Sequence, residues 1–204
     1  TFGSAYGTLP VPLKQGFTFD GWKINDQFVT SETLVNTPND HVLNASWSAN
    51  KYVLSFNTGF DDVECESITV TYGSVYTNLP IPSHAGYIFA GWYYLATQIT
   101  SESVVMLASD HTLVAKWSHA SYIVTFDENG GTPCTPISVT YLSPYMNLPV
   151  SERAGYTFGG WSYGESVVTN ETVVTEPGSH VLKAMWIPNS YVVSFDTSGG
   201  SFVN

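Results

Sequence analysis

Gly86-Tyr87-Ile88-Phe89-Ala90-Gly91-Trp92 is the stretch on which the reading of this chain turns, because it is written three times. It appears earlier as Gly16-Phe17-Thr18-Phe19-Asp20-Gly21-Trp22 and later as Gly155-Tyr156-Thr157-Phe158-Gly159-Gly160-Trp161, at offsets of 70 and 69 residues. A second tryptophan keeps the same step, at Trp47, Trp117 and Trp186. Self-similarity at a fixed period means a row of equivalent modules. It also biases function. Catalysis needs one special site, whereas spacing and multivalent contact need many similar ones.

Working outward, each unit opens on a strand-like run: Tyr52-Val53-Leu54-Ser55-Phe56, Tyr122 to Phe126, and Tyr191 to Phe195. Alternation puts Tyr52, Leu54 and Phe56 on one face. A turn follows at Asn129-Gly130-Gly131 and Ser198-Gly199-Gly200, where paired glycines permit positive φ. The middle unit has Gly59-Phe60-Asp61-Asp62 instead, so its turn must differ. A second strand, Ile68 to Tyr72 or Ile137 to Tyr141, leads to a Tyr and a Leu-Pro step at Tyr6/Leu9-Pro10, Tyr76/Leu79-Pro80 and Tyr145/Leu148-Pro149. In the third strand, strict alternation would send Phe89 and Trp92 to opposite faces. A bulge at Gly91 re-aims the indole toward the same core. The Ser/Thr/Glu-rich stretch that follows, Thr100 to Val105, is read as either a short strand or a helical turn. In the closing strand, Leu113, Ala115 and Trp117 share a face.

Between closing Trp and opening Tyr lie four residues each time: Ser48 to Lys51, Ser118 to Ser121, and Ile187 to Ser190. So short a linker leaves little room for independent tumbling, and a semi-rigid linear array is expected. The boundaries read as residues 1–50 for a first repeat lacking its opening strand, 51–120, 121–190, and 191–204 as the opening strand of a further repeat. Both ends fall inside a repeat. Excision from a longer array accounts for that, as does a head-to-tail joint in which the tail strand of one copy completes the first unit of the next. The first residue, Thr1, suggests a processed product or an excerpt.

Units of about 70 residues bury limited surface and need dense cores, which 13 Tyr, 11 Phe and 6 Trp supply. Seventeen acidic against 6 basic side chains leave a net charge of −11. That balance excludes a nucleic-acid footprint and disfavours anionic membrane surfaces. No apolar run approaches the ~20 residues of a spanning helix, so no membrane insertion is expected. Cys65 and Cys134 are 69 apart and so occupy equivalent places in consecutive repeats. The matching place in the last unit is Val203. A disulfide needs Cα atoms within about 7 Å, and equivalent points on successive modules stand farther apart. Both are read as small buried apolar side chains.

The Tyr-x-Val-x-Phe-Asp-x-x-Gly-Gly opening, the Gly-Tyr-Thr-Phe-x-Gly-Trp centre and the Leu-x-Ala-x-Trp end resemble the Listeria–Bacteroides repeat, a family that includes the internalin B repeat. The third unit matches best, through Tyr122, Phe126, Asp127, Gly130, Gly131, Gly155, Tyr156, Phe158, Gly160, Trp161, Leu182, Ala184 and Trp186. The resemblance implies a mainly β fold of tandem small β-grasp-like modules with a short helix, on secreted or cell-surface proteins, and no catalytic residues. The middle unit departs at its turn, and each closing strand begins with a histidine (His41, His111, His180).

Those histidines are the most tempting chemical set. Zinc needs three or four converging ligands, and each repeat offers one His with at most one near carboxylate, so a structural turn is the reading. Asp61, Asp62, Glu64 and Glu66 lack the spacing of a calcium loop and read as a solvated face. No nucleophile elbow, P-loop or HExxH segment occurs, so neither enzyme activity nor a cofactor or metal is expected. Trp22, Trp92 and Trp161 read as core, with Tyr93, Tyr94 and Tyr163 as exposed aromatic contacts. Asn44 and Asn170 head sequons for N-glycosylation in a secreting eukaryote. The combined reading is a non-catalytic extracellular or cell-surface structural repeat, serving as stalk, spacer or filament component. Its partners would be copies of itself or neighbouring repeats of the same protein. The competing class is an adhesin module binding a host protein or glycan by multivalent contact.

Overall fold

The computed structural model describes residues 1–200. Among them the fold is mainly β, with no helix. The chain divides into two compact units, one comprising Thr1–His84 and Phe89–Ser118 and the other Ala85–Ile88 with the residues from His119 onward.

The most complete sheets are built alike. One contains β4 (Lys51–Asn57), β5 (Ile68–Thr71), β6 (Tyr87–Tyr94), β7 (Thr97–Ile99) and β8 (His111–His119), in the order β5-β4-β8-β6-β7. The other contains β9 (Ser121–Asp127), β10 (Ile137–Thr140), β11 (Tyr156–Tyr163), β12 (Ser166–Val168) and β13 (His180–Pro188), in the equivalent order β10-β9-β13-β11-β12. At the centre of each, the opening strand runs parallel to the closing strand, with Leu54 opposite His111 and Val124 opposite His180. The short helix implied by the family resemblance is absent among the described residues. The stretch Thr100 to Val105, which follows the small strand β7, is a turn ending in an isolated bridge between Val104 and Val75, and the third repeat has the equivalent bridge Pro144–Val173 after β12.

The expected glycine bulge is present. Register slips between Phe158 and Gly160, where Gly160 has φ +104°, and Gly91 takes φ +126°. Phe89 and Trp92 therefore face the same core, their rings 5.3 Å apart. Each core is separate. One gathers Leu54, Val70, Tyr76, Trp92, Val105 and Leu113, and the other Val124, Val139, Tyr145, Trp161, Val174 and Leu182. The indole N–H of Trp92 donates to Pro80 O, and that of Trp161 to Pro149 O, each at 2.7 Å. This hydrogen bond ties the Leu-Pro step to the third strand and satisfies a donor whose burial would otherwise be costly.

The first sheet has three strands, β1 (Phe17–Ile24), β2 (Gln27–Val29) and β3 (Asn44–Ala49), in the order β2-β1-β3. Without an opening strand beside it, the closing strand β3 begins at Asn44, whereas β8 and β13 begin at their histidines. Trp22 is consequently only half-buried, a correction to its assignment as core. In the fuller sheets, Phe56 and Phe126 of the opening strands pack on the matching indoles at 4.7 and 4.6 Å.

Tyr191–Phe195 forms no strand and is exposed throughout, because no neighbour among the described residues supplies its hydrogen bonds. Val203 lies outside the described residues.

Candidate functional site

The three histidines are held by one repeated arrangement. Tyr6 Oη lies 2.6 Å from His41 Nε2, Tyr76 Oη 2.9 Å from His111 Nε2, and Tyr145 Oη 2.7 Å from His180 Nε2. Each Nδ1 faces the carbonyl two residues back, at Asn39, Ser109 and Gly178, over 2.9–3.0 Å. A carbonyl can only accept, so Nδ1 carries a proton, and in the neutral imidazole Nε2 then accepts from the tyrosine hydroxyl. Both ring nitrogens are thereby used; His111 and His180 are buried, whereas His41 is half-buried. The residue before the histidine serves the same strand pair: Val53 N donates to Asp110 Oδ1 at 2.7 Å, and Ile123 N to Ser179 Oγ at 3.1 Å.

Of the tyrosines expected to be exposed, the structure removes one. Tyr94 is half-buried against the middle core, its ring edge-on to His111 at 6.0 Å. Two residues beyond Trp92 on the same strand, it shares that indole's inward face. Tyr93 is half-buried, with Lys116 Nζ 3.9 Å from its ring centroid. Tyr163 is exposed and donates to Glu176 Oε2 at 3.2 Å. Its ring lies 5.0 Å from His180. Desolvation and this bond to a carboxylate push its phenol up from the ordinary tyrosine value.

Asn44 and Asn170 are both exposed, and Asn170 Oδ1 accepts from Leu148 N at 2.8 Å. Cys65 and Cys134 are free thiols lining the edges of the two cores, and burial pushes both up in pKa. Among the described residues no three His, Cys, Asp or Glu side chains are grouped to hold a metal ion, and no helix is long and apolar enough to cross a membrane.

What sequence reading missed lies where one repeat meets the next. The four-residue linkers collapse to a single residue, because β3 ends at Ala49 and β4 begins at Lys51. Asn50 N donates to Gly16 O and Tyr72 N donates to Asn50 O, both at 2.9 Å. Within the second unit Ala120 repeats the pattern, donating to Gly86 O and accepting from Tyr141 N. The glycines admit the tyrosines. A Cβ on Gly16 would fall inside the Tyr72 ring, and one on Gly86 inside the Tyr141 ring, whereas Gly155 has nothing within 4 Å. The following aromatics pack on the same tyrosines, Phe17 on Tyr72 at 5.5 Å and Tyr87 on Tyr141 at 5.6 Å. The glycines at the 70- and 69-residue offsets were the available signal for this joint.

A second recurring feature is a groove beside the closing tryptophan. In the third repeat it measures about 530 Å³ and is bounded by Arg153, Tyr156, Phe158 and Trp186. The residue at the place of Arg153 is Lys14 in the first repeat, 4.0 Å from the Phe17 ring centroid, and His84 in the second.

The chain matches the Listeria-Bacteroides repeat domain over residues 1–46, 52–116 and 122–184, and so belongs to that family as three tandem repeats. It is 30% identical, over its whole length, to a protein of Evansella cellulosilytica named as a Gly-rich membrane protein, covering 24% of that protein. It is 35% identical to internalin H of Listeria monocytogenes over 51% of this chain and 20% of the internalin. The chain spans about a quarter or less of the relatives it matches.

Proposed function

We propose that the chain is a non-catalytic structural repeat, a stalk or spacer segment of an extracellular or surface-attached protein. Residues 1–50, 51–120 and 121–190 serve as its units, and contact is chiefly with neighbouring repeats or copies of the same protein. The single-residue joint is the observation that carries this reading. Asn50 is hydrogen-bonded to the repeats on both sides, and its side-chain Oδ1 accepts from Thr18 Oγ1 at 2.6 Å. A joint so bonded resists bending, which suits a module that holds distance. His41, His111 and His180, side chains suited to acid–base work, are engaged by the hydroxyls of Tyr6, Tyr76 and Tyr145. Membership of the family and the names of the relatives, two membrane proteins and an internalin, support the surface setting.

Small-angle scattering on the full chain and on a variant with four Gly/Ser residues inserted after Asn50 tests the reading. The insertion is expected to broaden the distribution of sizes. Identical profiles would mean that the native joint is already loose and would remove the argument for a spacer. A glycan array run beside it addresses the adhesin alternative, since saturable sugar binding by the monodisperse chain would favour adhesion.

A further inference from the structure

We infer that the groove beside Trp186 in the third repeat is a docking site for a partner polypeptide presenting an aromatic side chain followed, two residues on, by a carboxylate. The second repeat supplies the pattern, because there the equivalent place is filled by the chain itself.

The two turns are aligned by hydrogen bonds from the closing indoles. Trp117 Nε1 donates to Thr58 O at 2.8 Å, and Trp186 Nε1 donates to Glu128 O at 2.9 Å. Two residues beyond these carbonyls stand Phe60 and Gly130. Phe60 folds back across the groove of its own repeat. Its ring stacks on His84 at 3.8 Å and 10°, and meets Trp117 edge-on at 5.4 Å and 68°. Asp62 then pairs with His84 over 3.5 Å. The turn is pinned by Thr58, whose hydroxyl donates to the carbonyls of Phe60 and Val63.

In the third repeat the walls remain and the plug is missing. Trp186 packs on Phe158 at 5.4 Å and 63°, matching Trp117 on Phe89 at 5.4 Å and 67°. Arg153 stands at the place of His84 as a permanent cation, 4.1 Å from the Tyr156 ring centroid, with one Nη1–H donating to Asn129 O at 3.0 Å and the guanidinium lying beside Gly130. The Asn129-Gly130-Gly131 turn offers no side chain at the place of Phe60, and Gly131 could not carry one, since a Cβ there would strike Ser151 Oγ and Trp186. A half-buried indole, a cation and an unfilled groove therefore complement what Phe60 and Asp62 provide in the neighbouring repeat. Glu152 lines the same groove, so the partner's carboxylate is matched to Arg153 locally, as Asp62 is to His84, and not to a general positive charge of the rim. The inference does not rest on the spacer reading.

The test is a titration of the full, isotope-labelled chain with an acetylated, amidated five-residue peptide copying residues 59–63, followed by NMR at the tryptophan indole N–H signals. One ring and one exposed charge pair predict a dissociation constant on the order of millimolar. The expected result is a saturable shift at Trp186 with Trp117 unmoved, lost when the peptide's Phe is replaced by Ala. Replacing Arg153 by Gln should weaken binding by up to about fivefold, the scale of an exposed ion pair. In Phe60→Ala, the vacated groove of the second repeat should make Trp117 respond as well. No saturable shift at Trp186 in the parent chain overturns the inference, whatever the fold of the variants. A response that survives the Phe-to-Ala change in the peptide overturns it equally.

Discussion

Gly86→Ala and Gly155→Ala should destabilise the chain unequally, although the two glycines hold the same backbone conformation. Their φ values are +83° and +82°, so alanine meets the same left-handed strain at both, about 1–2 kcal/mol. Of the two, Gly86 has a tyrosine seated against it, because a Cβ there would overlap the Tyr141 ring, whereas no atom of the described residues lies within 4 Å of a Cβ on Gly155. Overpacking of that kind costs a further ~1–3 kcal/mol. Both residues belong to the second compact unit, so the same melting transition reports both changes. For a unit of roughly 100 residues the difference amounts to about 4–24 °C in Tm. The assay is calorimetry or circular-dichroism melting of the two variants, completed as a double-mutant cycle with Tyr141→Ala. Removing the ring should return the cost of Gly86→Ala to that of Gly155→Ala, leaving a coupling energy of about 1–3 kcal/mol. Equal melting losses for the two alanine variants, or strict additivity in the cycle, would refute the assignment of Gly86 as the seat for the next repeat's tyrosine.

Trp92→Ala removes a side chain only 2% exposed and should cost about 3–5 kcal/mol, whereas Tyr93→Ala should lose less than about 1 kcal/mol through its Lys116 contact; urea unfolding of both separates them. Tyr145→Phe leaves the buried His180 Nε2 without its donor and should destabilise by about 1–3 kcal/mol, read in the same assay. Burial first, then the neighbouring Tyr94 for Tyr76 and Tyr163 with Glu176 for Tyr145, push both phenols above the ordinary tyrosine value. The folded state thus holds these protons more tightly than the unfolded chain. The stability they contribute is intact below a pH of about 10 and declines as pH rises through the raised folded-state values. An ultraviolet titration should show the phenols of Tyr76 and Tyr145, together with the exposed Tyr163, ionising above the ordinary tyrosine value, with stability falling over that alkaline range.

Much of the fold is legible because one physical requirement is repeated in phase. The bulge follows from Phe89 and Trp92 needing the same face across Gly91, and the closing face follows from simple alternation through Leu113, Ala115 and Trp117. The same alternation, carried two residues past Trp92, places Tyr94 inward, and its expected exposure ignored that parity. The Tyr–His pairs were also within reach, since tyrosine precedes histidine by 35 residues in all three repeats. Other features are not local. Tyr191–Phe195 has strand composition, yet a strand exists only where a neighbour takes its hydrogen bonds. Trp22 has the motif of a core residue but lacks the opening-strand phenylalanine that covers Trp92 and Trp161.

The groove was illegible for the opposite reason, because it arises where the repeat breaks its pattern. The second and third repeats share sheet order, central parallel pairing, indole-to-carbonyl bonds and buried histidines, so their cores give no basis for different behaviour. They diverge at the turn after the opening strand. There Phe60 occupies the space beside Trp117, while Gly130 leaves that beside Trp186 unfilled. An aromatic ring held within its own repeat competes with any external ring at high effective concentration. The second repeat is thereby closed to the ligand its neighbour would accept. Exchanging the two turns should move peptide binding from Trp186 to Trp117 while leaving both β-sheets intact. Such a transfer would show that the turn, and not the core that the two repeats share, decides which repeat makes contact.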